Sequence, residues 1–461
     1  MTLIKSISGI RGTIGGKSGE TLSPLDLVKF ASAYGTWLKT QTENHKVVIG
    51  RDARISGQMI TQIVAATLQG MGIDVLDLGL STTPTVEIAV TEAEAGGGII
   101  ITASHNPSQW NALKLLNAEG EFISAEAGQA IIELAENQDF NYAETPQLGT
   151  YTQDLEGKYL QNHIDKILAL PLVDKEAIEK RGFKIAVDAV NSSGGIAVPA
   201  LLEALGVKDI LKMYCEPTGS FPHNPEPLPE NLTEISRELE KGGYDLGIVV
   251  DPDVDRLALV CEDGEMFGEE YTLVAVADYV LQHTAGATVS NLSSTQALRD
   301  VTHKAAQQYE ASAVGEVNVV KKMKAINAVI GGEGNGGVIY PALHYGRDAL
   351  VGIALFLTHL AKSEKKMTHL LGSYPKYFIS KNKVSLTPEI DVDAILEAVK
   401  QKYKQQPINT EDGVRIDFDR SWVHLRKSNT EPIIRIYAEA NSKPMSDTLA
   451  QKIILDIKEM V

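Results

Sequence analysis

Short apolar runs alternate with stretches of helical period along most of the chain. Lys46 to Ile49 predicts a strand that ends in the polar turn Gly50-Arg51-Asp52. Gln58 to Met71 has a helical pattern and stops at Gly72, where a glycine suits the position just past a helix. Ile73 to Leu78 and Gly97 to Thr102 read as the next strands, and the pattern weakens over residues 140–155. A new strand set begins at Lys184 to Asp188 and continues with Gly247 to Val250. A turn from Cys261 to Gly264 leads to a helix starting near Glu269, and Thr288 to Ser290 and Ala328 to Ile330 are further strands. A second weak stretch, Gly372-Ser373-Tyr374-Pro375, precedes a segment of different rhythm. There the pattern predicts a helix from Val392 to Tyr403, strands near 414–418, 422–426 and 432–439, and a last helix over 446–460.

Strands alternating with helices are the pattern of an α/β protein. A strand followed by a polar loop recurs at 102, 188, 251 and 331. Ligands of open α/β sheets gather beyond the carboxyl ends of strands. The expected architecture is therefore three similar α/β domains with mixed sheets and a C-terminal α+β domain, set around a central active-site cleft. The expected boundaries are 1–153, 154–262, 263–371 and 372–461.

Length agrees with several domains, because 461 residues exceed what one core supports. With 43% hydrophobic and 22% charged residues, the chain has an ordinary globular composition. The formal charge of -17 disfavours nonspecific binding to nucleic acid. It also means that any site for an anionic substrate must be locally basic. The two cysteines, Cys215 and Cys261, belong to no CxxC pair or His/Cys cluster, which suggests packing roles in a reducing compartment. Neither a signal-peptide pattern nor a long apolar run is present, so a cytoplasmic protein without a membrane span is expected. Oligomeric state leaves no signal.

The loop Asp251-Pro252-Asp253-Val254-Asp255-Arg256 offers three alternating carboxylates, hard oxygen donors suited to Mg²⁺ or Ca²⁺. Glu262 falls at the twelfth position, as in an EF-hand, but position six is Arg256 where that turn wants glycine. Leu257-Ala258-Leu259-Val260 also reads as a strand. A solvated acidic turn is the plain alternative, and the arginine favours a metal next to a phosphate. The segment Thr102-Ala103-Ser104-His105-Asn106-Pro107 presents a hydroxyl just after a strand. A turn serine usually serves its own backbone. A hydrolase nucleophile is disfavoured, because Thr102 and Asn106 stand where a GxSxG elbow has glycines. His105 is expected to point away from its neighbour Ser104, while Lys114 is a candidate acid, base or phosphate ligand, or a plain surface lysine.

Gly331-Gly332-Glu333-Gly334-Asn335-Gly336-Gly337 contains a formal GxGxxG. The β-like Val338-Ile339-Tyr340-Pro341 follows it instead of a helix, which argues against a dinucleotide site. A flexible turn presenting Glu333 and Asn335 to sugar hydroxyls is the better reading, with a ligand-free hinge as the alternative. Arg426-Lys427-Ser428-Asn429-Thr430-Glu431-Pro432, with Arg435, collects guanidinium, hydroxyl and amide donors suited to an oxyanion. A strand-connecting turn with surface arginines is its plain alternative.

With these segments in order along essentially its whole length, the chain resembles the α-D-phosphohexomutase superfamily. Gly9-Ile10-Arg11-Gly12 is similar to the family's amino-terminal loop, which implies a phosphate-directed role for Arg11. The resemblance implies that Ser104 is the phosphoserine and that Asp251, Asp253 and Asp255 hold Mg²⁺ together with its phosphate. It implies that His105, Lys114 and Arg256 line the transfer site and that Glu333 and Asn335 contact sugar hydroxyls. Arg426, Ser428, Asn429, Thr430 and Arg435 are then expected to hold the distal phosphate. The implied reaction moves a phosphoryl group between O1 and O6 of a hexose phosphate, with a hexose 1,6-bisphosphate as intermediate and activator.

The chain departs from relatives at two places. Gly337 stands where many carry a histidine after the sugar loop, and Ala313-Val314-Gly315-Glu316 stands where they carry a lysine. Lys321, Lys322 and Arg347 are the cations available to replace it. The layout is most similar to phosphoglucosamine mutases, with a phosphoglucomutase/phosphomannomutase as the alternative. A non-catalytic phosphosugar-binding relative and a metal-dependent phosphatase are the competing classes.

Overall fold

The structure, a computed structural model, describes residues 2–6, 9–385, 391–427 and 433–460. Its chain forms two compact units, residues 1–272 with 336–368, and residues 273–335 with 369–461.

The first unit opens with a seven-stranded sheet. Its strands are β1 (Ile4–Ser6), β2 (Gly9–Thr13), β3 (Lys46–Arg51), β4 (Asp74–Leu80), β5 (Gly97–Ile101), β6 (Trp110–Leu116) and β7 (Tyr151–Gln153). Their order is β1-β2-β6-β5-β3-β4-β7. β3 runs parallel to β4 and β5, whereas β6 is antiparallel to β5 and β2, so the sheet is mixed. Both faces of the central strands are covered, which is why they read as continuous apolar runs. Val47 and Ile49 pack with Phe30 and Leu68 on one side. Val48 packs with Val86 and Val90 on the other. The helix expected over 58–71 spans Gly57–Gly70, with Met71 as its cap and Gly72 beyond it at φ +75°. The weak stretch after residue 140 ends in β7, which pairs parallel with β4.

A second mixed sheet in this unit has the order β11-β10-β8-β9, formed by β8 (Lys184–Asp188), β9 (Asp209–Met213), β10 (Leu246–Val250) and β11 (Leu257–Cys261). β10 and β11 are antiparallel neighbours, so the acidic loop closes a hairpin. That geometry, strand before and strand after, excludes the helix–loop–helix of an EF-hand. Glu262 is bound instead to the hydroxyl and N–H of Thr368. The strand β15 (Gly337–Ile339) follows the glycine-rich segment, as the β-like sequence predicts. A helix over Ala349–Ser363 is buried from Ala349 through Ala361, and Asp348 caps it by accepting from the N–H groups of Leu350 and Val351. Among the described residues, no helix is long and apolar enough to cross a membrane.

In the second unit, β12 (Thr288–Asn291) lies between β13 (Tyr309–Ser312) and β14 (Ile330–Glu333), parallel to both. A separate antiparallel sheet comprises β16 (Phe378–Ser385), β17 (Ile408–Asn409), β18 (Val414–Asp417), β19 (Trp422–Lys427) and β20 (Ile433–Ala440). Its order is β16-β20-β19-β18-β17. One face packs on helices Val392–Lys402 and Lys443–Met460 through Val423, Leu425, Ile434, Ile436, Val399 and Ile453. This is the α+β segment expected at the C-terminus, with β16 as an added edge strand that the pattern did not reveal.

Candidate active site

Ser104 follows β5 in a turn where its own backbone is left-handed, at φ +48°. A non-glycine residue held there costs free energy and persists only when its surroundings fix it. Those surroundings are Thr102, Asp52 and Arg54. The Ser104 N–H donates to the Thr102 hydroxyl at 2.9 Å, and that hydroxyl donates to Asp52 Oδ2 at 2.7 Å. Arg54, 1% exposed, forks into the turn. Its Nε donates to Asp52 Oδ2 at 3.0 Å, Nη1 to the carbonyls of Pro107 and Trp110, and Nη2 to those of Ser104 and Asn106 at 2.5 and 2.6 Å. Burial pushes the Asp52 carboxyl above its ordinary value, against the opposing pull of Arg54 and the Thr102 bond.

The acidic loop meets this turn. Ser104 Oγ donates to Asp251 Oδ2 at 2.7 Å. Val254, at φ +63°, turns the loop so that its flanking aspartates face inward. Asp251 Oδ1 accepts the N–H groups of Asp255 and Arg256 at 3.2 and 3.1 Å. Asp253 Oδ2 accepts from Thr83 Oγ1 at 2.6 Å and Lys114 Nζ at 2.7 Å. Asp255 Oδ2 accepts from Arg347 Nη2 at 2.6 Å, with Lys114 Nζ 3.5 Å away. One carboxylate oxygen from each aspartate lies within 4.8 Å of the others, and all three residues are fully buried.

A divalent cation fits this arrangement. Asp253 Oδ1 and Asp255 Oδ1 are buried without a hydrogen-bond partner, an expensive state for carboxylate oxygens unless a cation takes them. Burial, Asp255 and Asp253 drive the Asp251 carboxyl well above its ordinary value. Burial acts on Asp253 in the same sense, but Lys114 and the bonds from Lys114 and Thr83 outweigh it and hold that carboxyl below the usual range. Burial alone would lower the Lys114 ammonium, and the charges of Asp253 and Asp255 raise it instead.

Cations rim the same place. Arg256 Nε lies 4.0 Å from Asp251 Oδ2 and 3.9 Å from Asp255 Oδ1, while its Nη1 is 3.6 Å from Glu226. His105 corrects an expectation. Its Nδ1 stands 3.5 Å from Ser104 Oγ, because the left-handed turn at Ser104 brings the next side chain back toward the hydroxyl. Burial, and after it the charges of Arg256, Arg11 and Arg347, push the His105 imidazole well below its ordinary value, so it is neutral near pH 7. Burial and the charge of Arg256 also lower the Arg11 guanidinium.

The sequence reading missed Arg54, Thr83 and Thr102 as site residues. The signal for Arg54 was present, a second charged pair after a strand in Arg51-Asp52-Ala53-Arg54. Of the three replacement cations, Arg347 reaches the aspartates, whereas Lys322 lies 3.6 Å from Glu411. Gly346 beside Arg347 packs so closely that an added Cβ would stand 1.9 Å from Glu87 Oε2.

The sugar and distal-phosphate candidates belong to the second unit. Glu333 ends β14, is 4% exposed, and accepts from Asn291 Nδ2 at 2.8 Å and the Gly315 N–H at 3.0 Å. The expected flexible turn is thus pinned at its glutamate, and Asn335 beyond it is half-buried. Arg426 Nε donates to Asp412 at 2.6 Å, and Arg435 is exposed directly across from Arg426. Ser428, Asn429 and Thr430 lie outside the described residues.

Known proteins are similar to this chain over nearly its whole length. Family models of phosphoglucomutase/phosphomannomutase match in sequence order: alpha/beta/alpha domain I over residues 3–142, domain II over 161–264, domain III over 268–377 and the C-terminal domain over 383–455. The chain belongs to the phosphoglucomutase/phosphomannomutase family. A phosphoglucomutase/phosphomannomutase of Thermococcus kodakarensis is 36% identical over 439 residues, 94% of each chain. A phosphoglucosamine/phosphogalactosamine mutase of Sulfurisphaera tokodaii is 32% identical, over 96% of this chain and 97% of its own. The crystal structure of a family protein from Burkholderia thailandensis superposes with a TM-score of 0.85 at 25% identity, covering 99% of this chain and 97% of the other. Three alpha/beta/alpha domains and a C-terminal domain are therefore the architecture of this phosphoglucomutase/phosphomannomutase family member.

Proposed function

We propose that this protein is a phosphohexomutase that carries a phosphoryl group on Ser104 between O1 and O6 of a hexose phosphate. The observation that supports this most is the Ser104 hydroxyl on Asp251 at 2.7 Å, beside two more buried aspartates with orphaned oxygens. A catalytic hydroxyl does not need three carboxylates, but a serine phosphate that shares a metal does. Asp251, Asp253 and Asp255 would hold Mg²⁺, which offsets charge on a transferring phosphoryl group.

The chain's own residues do the rest. The free hydroxyl oxygen of the sugar attacks phosphorus, the bond from phosphorus to Ser104 Oγ breaks, and a hexose bisphosphate forms. The sugar proton passes to a base, and Ser104 Oγ takes a proton as it leaves. After the bisphosphate turns over, the same chemistry in reverse returns its other phosphoryl group to Ser104. Neutral His105 and charged Lys114 are the proton carriers at hand. Arg11 and Arg256 stabilise equatorial charge. Glu333 and Asn335 would read sugar hydroxyls, and Arg426, Ser428, Asn429, Thr430 and Arg435 would take the distal phosphate.

Glucosamine 6-phosphate to glucosamine 1-phosphate is the lead reaction, supported by several relatives named as phosphoglucosamine mutases, one of them from Methanopyrus kandleri at 30% identity. The Thermococcus relative's name favours glucose or mannose phosphate as the second reading. Turnover of glucosamine, glucose and mannose 1-phosphates, with a catalytic amount of hexose 1,6-bisphosphate, separates them. Preference for glucosamine supports the lead, and equal or faster turnover of glucose or mannose phosphate overturns it. Net phosphate release without isomerisation would show a phosphatase instead.

A further inference from the structure

One buried carboxylate, Asp188, holds two segments that meet the site. It ends β8, and its Oδ1 accepts the Val190 N–H at 3.0 Å. That bond closes a turn in which Val190 and Asn191 are both left-handed, at φ +49° and +53°. Two such residues without glycine persist only where their surroundings fix them. Ser192 Oγ donates to the Pro252 carbonyl at 2.7 Å and accepts the Ala53 N–H at 3.2 Å, and Ser193 Oγ donates to the same carbonyl at 2.8 Å. Pro252 stands between Asp251 and Asp253, and Ala53 precedes Arg54. The strained turn therefore ties the acidic loop to the clamp of the Ser104 turn.

The other oxygen, Asp188 Oδ2, takes His223 Nε2 at 3.0 Å. His223 belongs to residues 214–228, which leave β9 and run without helix or strand to a short turn at Pro229–Asn231. Connections longer than about 12–15 residues are uncommon in compact domains and are usually functional when ordered. Pro217, Pro222, Pro225 and Pro227 stiffen this one. It is tied to the strained turn, because the Gly219 N–H donates to the Asn191 carbonyl at 3.0 Å and Asn191 Nδ2 donates to the Ser220 carbonyl at 3.0 Å. On one side of His223 in the chain, the Phe221 ring centroid lies 5.1 Å from the Arg54 guanidinium. On the other, Glu226 lies 3.6 Å from Arg256 Nη1. A loop that only joined β9 to the next helix would need neither contact.

The geometry also sets the charge of His223. Its Nδ1 faces the Asn224 carbonyl at 2.8 Å, so both ring nitrogens meet groups that only accept, and both can donate only as the imidazolium. Burial opposes that charge, but the Asp188 bond and charge, with the Asn224 carbonyl and Glu234, outweigh it and raise the imidazole above its ordinary value. The titratable groups that face it are Asp188, Tyr214, with ring centroids 6.0 Å apart, and Glu234, which is bonded to the Tyr214 hydroxyl. Histidine is the group among these whose charge changes near neutrality.

We propose that His223 is a positioning residue for phosphoryl transfer: paired with Asp188, it latches residues 216–226 onto Arg54 and Arg256 and so fixes the Ser104 turn and its neighbouring guanidinium. This rests on the mutase reading. The folded imidazole lies above its unfolded value of about 6.5, so the latch is complete below that pH and is lost as pH rises through the folded value.

The test uses the full chain with H223Q, D188N and, as control, H303Q at the exposed end of the helix Ala297–Lys304. kcat, KM for the best hexose 1-phosphate and the rate of Ser104 loading from a hexose 1,6-bisphosphate are measured from about pH 6 to 9. Amide hydrogen exchange over residues 102–110 is followed at neutral pH. At the acid end both variants should lose roughly tenfold in kcat and in loading, with KM within about twofold. The ratio of wild type to H223Q should fall toward one as pH rises, because neutral histidine cannot make both bonds. Exchange over 102–110 should be faster in both variants, and H303Q should match the wild type. H223Q leaves the Asp188–Val190 bond in place, so it decides the test if D188N fails to fold. A deficit that is constant with pH, as a purely structural role predicts, overturns the proposal, and so does a loss confined to KM or unchanged exchange over 102–110. A wild type that turns over no hexose phosphate, yet exchanges more slowly over 102–110 than both variants, refutes the mutase reading and leaves the latch standing.

Discussion

Arg54→Lys tests how Ser104 is held. The arginine places all five of its side-chain N–H directions, one on Asp52 and four on carbonyls of the Ser104 turn. Lysine keeps the charge beside Asp52 but has three donors on a shorter head and no planar fork. At least two bonds are lost, each worth about 1.5–3 kcal/mol when the donor is charged, so a destabilisation of roughly 3 kcal/mol is expected. Arg54→Met would go further, leaving Asp52 buried without its partner at a cost of about 3–5 kcal/mol. The Lys variant is thus the informative one, because it should fold. Its Ser104 turn, left-handed at φ +48°, loses the clamp that enforces it. A misplacement of roughly 1 Å at a reacting atom costs about a hundredfold in rate. The expectation is a kcat about a hundredfold lower with KM nearly unchanged, since every side-chain N–H of Arg54 is already given to Asp52 or to the turn. Urea unfolding measures the stability term, and quenched-flow loading of Ser104 from a hexose bisphosphate measures the positioning term. Thr102→Val removes the other support and should lower the loading rate in the same way. An Arg54→Lys protein with wild-type loading and an unfolding midpoint already lowered would show that the clamp stabilises the fold without positioning the serine.

Other consequences are as direct. His344 faces Glu87 and Asp348 at 3.3 Å each, and although burial opposes it, those bonds push its pKa up to about 10. The folded value lies above the unfolded one of about 6.5, so this stabilisation is complete below pH 6.5 and is lost as pH rises through 10, a few kcal/mol in all. The urea midpoint should fall across that window in the wild type and fall less in His344→Gln; equal slopes would contradict the assignment. Gly219, at φ +72°, has room for no Cβ, which would stand 1.9 Å from the Ala53 carbonyl. Gly219→Ala should cost about 1–3 kcal/mol by urea unfolding and lower kcat, because this loop carries Glu226 to Arg256 and Phe221 to Arg54. Chelation followed by desalting should abolish turnover and Mg²⁺ should restore it; activity that survives rigorous chelation would remove the metal from the mechanism.

The sequence reached much of this site because its chemistry is concentrated in short segments. Ser104 and the three aspartates stand next to strand ends, and strand ends are legible from apolar runs. The α/β alternation was legible for the same reason, since β3, β5 and β10 are buried on both faces. Elements without that contrast were missed. β7 is fully exposed, and β16 alternates with lysines, so neither makes an apolar run. Long-range pairings were also hidden. Thr83 reaches Asp253 across 170 positions, and Arg347 reaches Asp255 across 92. His105 was misjudged because a left-handed serine cannot be inferred from local composition. The latch of His223 on Asp188 is invisible until the path of residues 214–228 is known.

The central claim is that Ser104 carries the phosphoryl group. Incubating the protein with a hexose 1,6-bisphosphate, removing the small molecules and sequencing the tryptic peptides by mass spectrometry tests it directly. One phosphoryl group on Ser104, discharged when a hexose monophosphate is added and absent from Ser104→Ala, is the predicted result. An unmodified Ser104 in a protein that still isomerises hexose phosphates, or full turnover by Ser104→Ala, would contradict it.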